Sequence, residues 1–179
     1  MKLPNDREFT SPTAKALRVA AYHEAGHVVM ALLLGGTVEF ASIAEADAKV
    51  PERPGVSRYD FDRRFAGREE TLALREERME VETLAYLAGP RAAILAKCEG
   101  NYLDKTLQEH RLSAIMDILE FWRPDDFPWD EMHAYLDEMD LKVTELLQAN
   151  WPKVKAVAQG LLEQSKLDGI GIEKLLAAG

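Results

Sequence analysis

The chain has 179 residues, 47% of them hydrophobic and 30% charged, which suits one domain with its own core. Its net charge of −9 disfavours nucleic acid as a partner, because neutralising phosphates requires a basic surface. The single cysteine, Cys98, excludes a disulfide framework and a cysteine-rich zinc module, and it favours a reducing, cytoplasmic setting. The longest apolar run, Val28 to Leu34, is far shorter than the roughly 20 residues that cross a bilayer, so we expect a soluble protein without a membrane span.

The first third of the chain predicts a polar terminus, a long helix and a small hairpin. Residues 1–11 are expected to be flexible, and residues 12–179 to form a single domain. A Ser-Pro pair and a Gly-Gly pair are typical of a helix start and end, and they bound a predicted helix over residues 12–34. Residues 37–43 alternate apolar and polar side chains and predict a strand, and residues 55–61 predict a second one after a loop.

The remainder of the chain predicts helices. Gly89-Pro90 is expected to interrupt the first of them, and Leu167-Asp168-Gly169 to close the helix before the last. The predicted helices span residues 69–87, 91–97, 103–122, 132–147 and 152–166, with a short terminal helix that ends at residue 176. The predicted fold class is therefore mainly α, a helical bundle with a small β hairpin or sheet after the first helix.

The informative motif is His23-Glu24-Ala25-Gly26-His27, an H-E-x-x-H in the middle of the first predicted helix. Imidazoles at positions i and i+4 share a helical face and can both reach one Zn²⁺ ion. Zinc lowers the pKa of a coordinated water, and Glu24 is placed to take its proton as general base for peptide hydrolysis. The alternative is a pair of histidines packed in the core with their ring nitrogens satisfied by hydrogen bonds.

A catalytic zinc ion usually takes three protein ligands and keeps one position open. The metzincin extension would require Gly at position 30 and His at position 33, where this chain has Met and Leu. A thermolysin-like carboxylate would fall in the predicted strand and loop rather than in a second helix. The third ligand is therefore expected from far along the chain, where the remaining histidines are His110 and His133.

Five segments resemble the peptidase domain of the FtsH-type ATP-dependent zinc metalloproteases. Residues 20–29, AAYHEAGHVV, are similar to the zinc helix of that family, and residues 87–93, LAGPRAA, to its "GGRAAE" segment. Residues 38–43 and 55–57 are similar to the two strands after that helix, and residues 161–169 to the C-terminal "LLEKETLDG" stretch. The resemblance implies a zincin-like HExxH helix in a single FtsH-peptidase-like domain.

The resemblance also implies a third ligand. In the family, an Asp at the start of a helix completes the metal site, and alignment on Ala114 puts His110 at that position. Three imidazoles make a suitable zinc site, so the implied metal ligands are His23, His27 and His110. Glu109 and Asp104 are the alternatives to His110, and an ungapped alignment from Gly89 places Gln108 there instead.

The chain contains no G-x-x-x-x-G-K-[ST] motif, so the resemblance covers the peptidase half of the family and not its ATPase. The predicted function is a zinc metalloendopeptidase for peptides or unfolded polypeptides, with a second copy of the chain or a separate ATPase as the candidate protein partner. We expect substrate to add as an extended strand to an exposed edge. The residues of that edge are Val38, Glu39, Phe40, Ala41, Ser42 and Ile43. The alternatives are a non-proteolytic relative that binds metal or a partner, and a purely structural helical domain.

Overall fold

Helices make up most of the structure, a computed structural model that describes residues 12–43, 55–98, 116, 118–122 and 131–177. Residues 116 and 118–122 are helical, and the other elements, in chain order, are α1 (Pro12–Leu33), β1 (Thr37–Ser42), β2 (Val56–Asp60), α2 (Asp62–Phe65), α3 (Leu72–Leu95), α4 (Met132–Ala149), α5 (Trp151–Gln164), β3 (Lys166–Asp168) and α6 (Gly169–Ala177). The prediction of a mainly helical chain with one small sheet is confirmed. Within the described ranges, no helix is both long enough and apolar enough to span a membrane.

Helix α1 is the centre of the fold. It packs against α3 on one side and α5 on another, and every residue from 19 to 26 is buried. Small side chains such as Ala20, Ala21 and Ala25 permit this burial on all sides, because they let neighbouring helices approach closely. The predicted stop is confirmed, since Gly35 has a φ of +78° and the N–H of Gly36 donates to the carbonyl of Ala31 at 2.8 Å.

Helix α3 is longer than the sequence predicted. The Thr71 hydroxyl caps its first turn by accepting from the N–H of Leu74 at 3.2 Å. The prediction that Gly89-Pro90 interrupts the helix is wrong, because Pro90 lies inside a continuous helix that runs on to Leu95. A buried face of α3 against α1 compensates for the backbone bond that a proline cannot donate.

The hairpin of β1 and β2 is confirmed, and a third strand completes the sheet. Strand β2 pairs antiparallel with β1 along one edge, and β3 pairs antiparallel with Phe40–Ser42 along the other, so the strand order is β2-β1-β3. The prediction that Leu167-Asp168-Gly169 closes a helix is wrong, because Ser165 takes a φ of +62° and turns the chain into β3.

The central place of β1 corrects the expected substrate edge. Residues Val38 to Ile43 offer no open edge, because β2 covers one side and β3 covers Phe40–Ser42 on the other. The remaining part is covered by Gly169, where an added Cβ would overlap the carbonyl oxygen of Val38. The prediction that a peptide adds to the edge of this strand is therefore wrong.

Candidate metal centre

The two histidines of the motif face each other one turn apart on α1. His23 is 8% exposed and His27 is half-buried, and their Nε2 atoms lie 3.1 Å apart. Two nitrogen ligands of a tetrahedral zinc ion, each about 2.0–2.1 Å from the metal, would be about 3.3–3.4 Å apart. The two imidazoles therefore fit a shared zinc ion with little rearrangement.

A backbone carbonyl of α3 sets the orientation of the His27 ring. The Nδ1 atom of His27 lies 2.8 Å from the oxygen of Ala85, and a carbonyl oxygen only accepts, so Nδ1 carries the proton. In the neutral ring the lone pair is then on Nε2, the atom that faces His23. A hydrogen bond of this kind fixes the tautomer of a metal-ligating histidine and increases its basicity.

The Glu24 carboxyl is enclosed beside this pair. Its side chain is 3% exposed, and burial raises its pKa from 4.5 to about 7, against a hydrogen bond from Ser57 that lowers it. Gly55, just before β2, leaves the necessary room, since an added Cβ would lie 2.9 Å from Cγ and 3.1 Å from Oε1 of Glu24. A carboxyl with a pKa near neutrality can both accept and return a proton at physiological pH.

Two tyrosines flank the His27 ring. Tyr59 of β2 is stacked against it with ring centroids 6.1 Å apart, and Tyr86 of α3 lies at 6.2 Å. Burial, and next the negative charge of Glu24, raise the pKa of Tyr59 far above its ordinary value. The Tyr59 phenol therefore stays protonated at physiological pH and keeps a hydrogen to donate.

Of the candidate ligands outside the motif, the structure describes only His133. His110, Glu109 and Asp104 lie outside the described residues, whereas His133 is exposed on α4. Across the described ranges, no group of three His, Cys, Asp or Glu side chains could hold a metal ion. A third protein ligand would therefore have to come from another part of the chain.

The residues that surround the motif, Ser57, Tyr59 and Ala85, were not predicted from the sequence. Ser57 and Tyr59 could have been found as alternate residues of a strand, which share one face and so contact the same helix. Ala85 acts through its backbone, and such a contact leaves no signal in the side-chain pattern.

The comparisons with known proteins add no identification. No protein-family model matches the chain, and a search of curated proteins gives no match either. The resemblance to FtsH-type peptidases consequently enters below as part of a proposal.

Proposed function

We propose that this chain is a zinc metallopeptidase that hydrolyses peptides or unfolded polypeptides, built on a zincin-like HExxH helix. The observation that carries the proposal is the facing pair of His23 and His27, 3.1 Å apart at Nε2, beside the buried carboxyl of Glu24. The resemblance to FtsH-type peptidases supports the same assignment. The single cysteine supports a reducing compartment such as the cytoplasm as its location.

Each residue of the site has a role in this proposal. His23 and His27 would hold the zinc ion through Nε2, and the Ala85 carbonyl orients His27 for that task. When bound, the ion supplies positive charge that acidifies water and polarises a peptide carbonyl. Glu24 would accept a proton on its carboxylate and return it to the departing amine. Tyr59 keeps its phenolic proton as a hydrogen-bond donor beside His27.

The third ligand is proposed to be His110, with Glu109 and Asp104 as the alternatives. His110→Ala is expected to weaken zinc retention, and the matched control His133→Ala, on the exposed face of α4, is expected to retain it. Zinc loss on substitution of Glu109 or Asp104, with retention in His110→Ala, would reassign the ligand and leave the HExxH site in place.

We propose that substrate adds as a strand to the outer edge of β2, rather than to β1. Among the described residues β2 pairs only with β1, so its second side has backbone groups that can pair with an extended peptide. Ser57 hydrogen-bonds Glu24 and Tyr59 stacks on His27, so a peptide along this edge would run next to the site. An extended substrate must be unfolded beforehand, and a separate ATPase is the proposed partner for that step. A second copy of the chain is the other candidate protein partner.

A non-proteolytic role is the second candidate, and one observation favours it. The 3.1 Å separation of the two Nε2 atoms is also an ordinary hydrogen-bond distance, so a proton on His23 can satisfy the pair without a metal. In that case the site would stabilise the fold or support a partner surface.

Zinc content and peptide hydrolysis, measured on the same preparations, separate these candidates. Wild type and Glu24→Gln are expected to retain about one zinc per chain, and His27→Ala to lose it. Loss of general-base catalysis is expected to lower hydrolysis by Glu24→Gln by about 10²–10⁴-fold. Zinc-loaded wild type without hydrolysis would support the non-proteolytic candidate, and wild type without zinc would refute the metal site.

A further inference from the structure

Helix α3 presents a glycine to the ring of His27. Gly89 lies one helical turn after Ala85, whose carbonyl accepts from the same ring, so the two positions share a face of α3. An added Cβ at Gly89 would lie 2.7 Å from two of the ring carbons, Cδ2 and Cε1, and closer still to Nε2. Side-chain carbons do not approach one another so closely, so the ring occupies the space that a side chain at position 89 would fill.

The backbone gives one other reason for a glycine there, because Pro90 follows and its ring disfavours a helical conformation for a preceding residue that carries a Cβ. Gly89 is in the interior of a continuous helix, and the described glycines with positive φ are Gly35 and Gly67. This effect of Pro90 does not depend on the His27 ring, so removing the imidazole separates the two reasons. Tyr59 and Tyr86 flank the imidazole, which limits how far the ring could move away from a new side chain.

We propose that Gly89 is a positioning residue of the metal site. Its missing side chain forms a slot in α3 in which the His27 ring lies with Nδ1 on the Ala85 carbonyl and Nε2 toward His23. The purpose of this slot, presenting Nε2 to a metal ion, rests on the proposed function. The slot itself is a steric relation between two residues and can be tested without metal.

The first test is a double-mutant cycle on the full chain in EDTA, followed by urea denaturation. Gly89→Ala is expected to lower the urea midpoint more when His27 is present than in the His27→Ala background, where the ring is gone and only the backbone effect next to Pro90 remains. Gly160→Ala is the matched control, because its Cβ would be 2.7 Å from Leu175 Cδ1 in a helix away from the site. The control is expected to shift the midpoint equally in both backgrounds.

The second test is zinc affinity by competition with a chelator. Gly89→Ala is expected to bind zinc at least tenfold more weakly than wild type, as found for residues that orient metal ligands, while Gly160→Ala binds normally. An equal midpoint shift for Gly89→Ala in both backgrounds, or wild-type zinc affinity in a folded Gly89→Ala protein, would overturn the proposal.

Two further outcomes are also decisive. If Gly89→Ala does not fold, recovery of folding by adding His27→Ala supports the slot, and failure to recover refutes it. If wild type binds no zinc, the proposed function fails, and the double-mutant cycle alone decides whether Gly89 holds the His27 ring.

Discussion

Glu24→Gln is expected to change how the stability of the metal-free protein depends on pH. Burial raises the pKa of Glu24 from 4.5 to about 7 in the folded protein, even though the Ser57 hydrogen bond lowers it. In the unfolded chain the carboxyl titrates near its ordinary value. Between these two values the folded state therefore binds more protons than the unfolded state, and the free energy of unfolding falls as pH rises.

The size of this loss follows from the two pKa values. Below pH 4.5 the carboxyl is protonated in both states, and above pH 7 it is ionised in both, with the full cost of burying a charge. A tenfold change in an acid dissociation constant is worth about 1.4 kcal/mol, so the move from 4.5 to about 7 corresponds to about 3 kcal/mol. The side chain is 3% exposed, so solvent screens little of this energy.

Urea denaturation in EDTA at several pH values between 4.5 and 8 measures the effect. Wild type is expected to lose about 3 kcal/mol more unfolding free energy over this range than Glu24→Gln, whose amide does not titrate. All other groups titrate in both proteins, so the difference isolates the carboxyl. Ser57→Ala, which removes the hydrogen bond that lowers the pKa, is expected to enlarge the loss. Parallel pH profiles for wild type and Glu24→Gln would refute the reasoning.

Three other predictions follow from the structure. Hydrogen bonds from Arg68 and Arg64 lower the pKa of Glu77 to about 2, so their stabilisation is present above pH 4.5 and is lost as pH falls towards 2. Because these three side chains lie at the surface, we expect Glu77→Gln to reduce the acid dependence of stability by at most about 1 kcal/mol in urea titrations. Leu147→Ala should cost about 2–5 kcal/mol of unfolding free energy, because the side chain is fully buried in α4, whereas Leu141→Ala, 68% exposed on the same helix, should cost under about 0.5 kcal/mol. Since the sequence has no ATPase motif, degradation assays should show no ATP-dependent loss of a folded fluorescent reporter, and ATP-stimulated loss by this chain alone would contradict the proposal.

The parts of the fold that the sequence predicted are those with local signals. The glycines after α1 and the alternation of β1 and β2 depend on residues near in sequence, and the structure confirms both. Strand β3 has three residues and no pattern of its own, and its partner, Phe40–Ser42, lies more than 120 residues earlier. No pattern of neighbouring residues predicts such a pairing. Strand β1 was therefore wrongly expected to be an edge strand.

The candidate site divides in the same way. His23, Glu24 and His27 were found because their spacing on one helix is sufficient to state the chemistry. Ser57 and Tyr59 reach the site only because β2 lies against α1, and that packing depends on tertiary contacts. The residues that α1 contributes to the candidate site were therefore predicted from the sequence. The residues that β2 contributes were not.

Burying a histidine pair and a carboxyl on a helix enclosed on all sides requires its neighbours to leave space. Gly26 lets α1 and α3 approach closely, since an added Cβ would lie 2.7 Å from the Cβ of Ala92. Gly55, just before β2, and Gly89 of α3 leave this space, because a side chain at position 55 would meet Glu24 and one at position 89 would meet His27. None of these glycines can bind a metal or carry a proton, yet a larger residue at Gly55 or Gly89 would meet a side chain that can. The H-E-x-x-H spacing is therefore necessary for this site but not sufficient, and the glycines on the neighbouring elements are the further condition that a sequence must meet to form it.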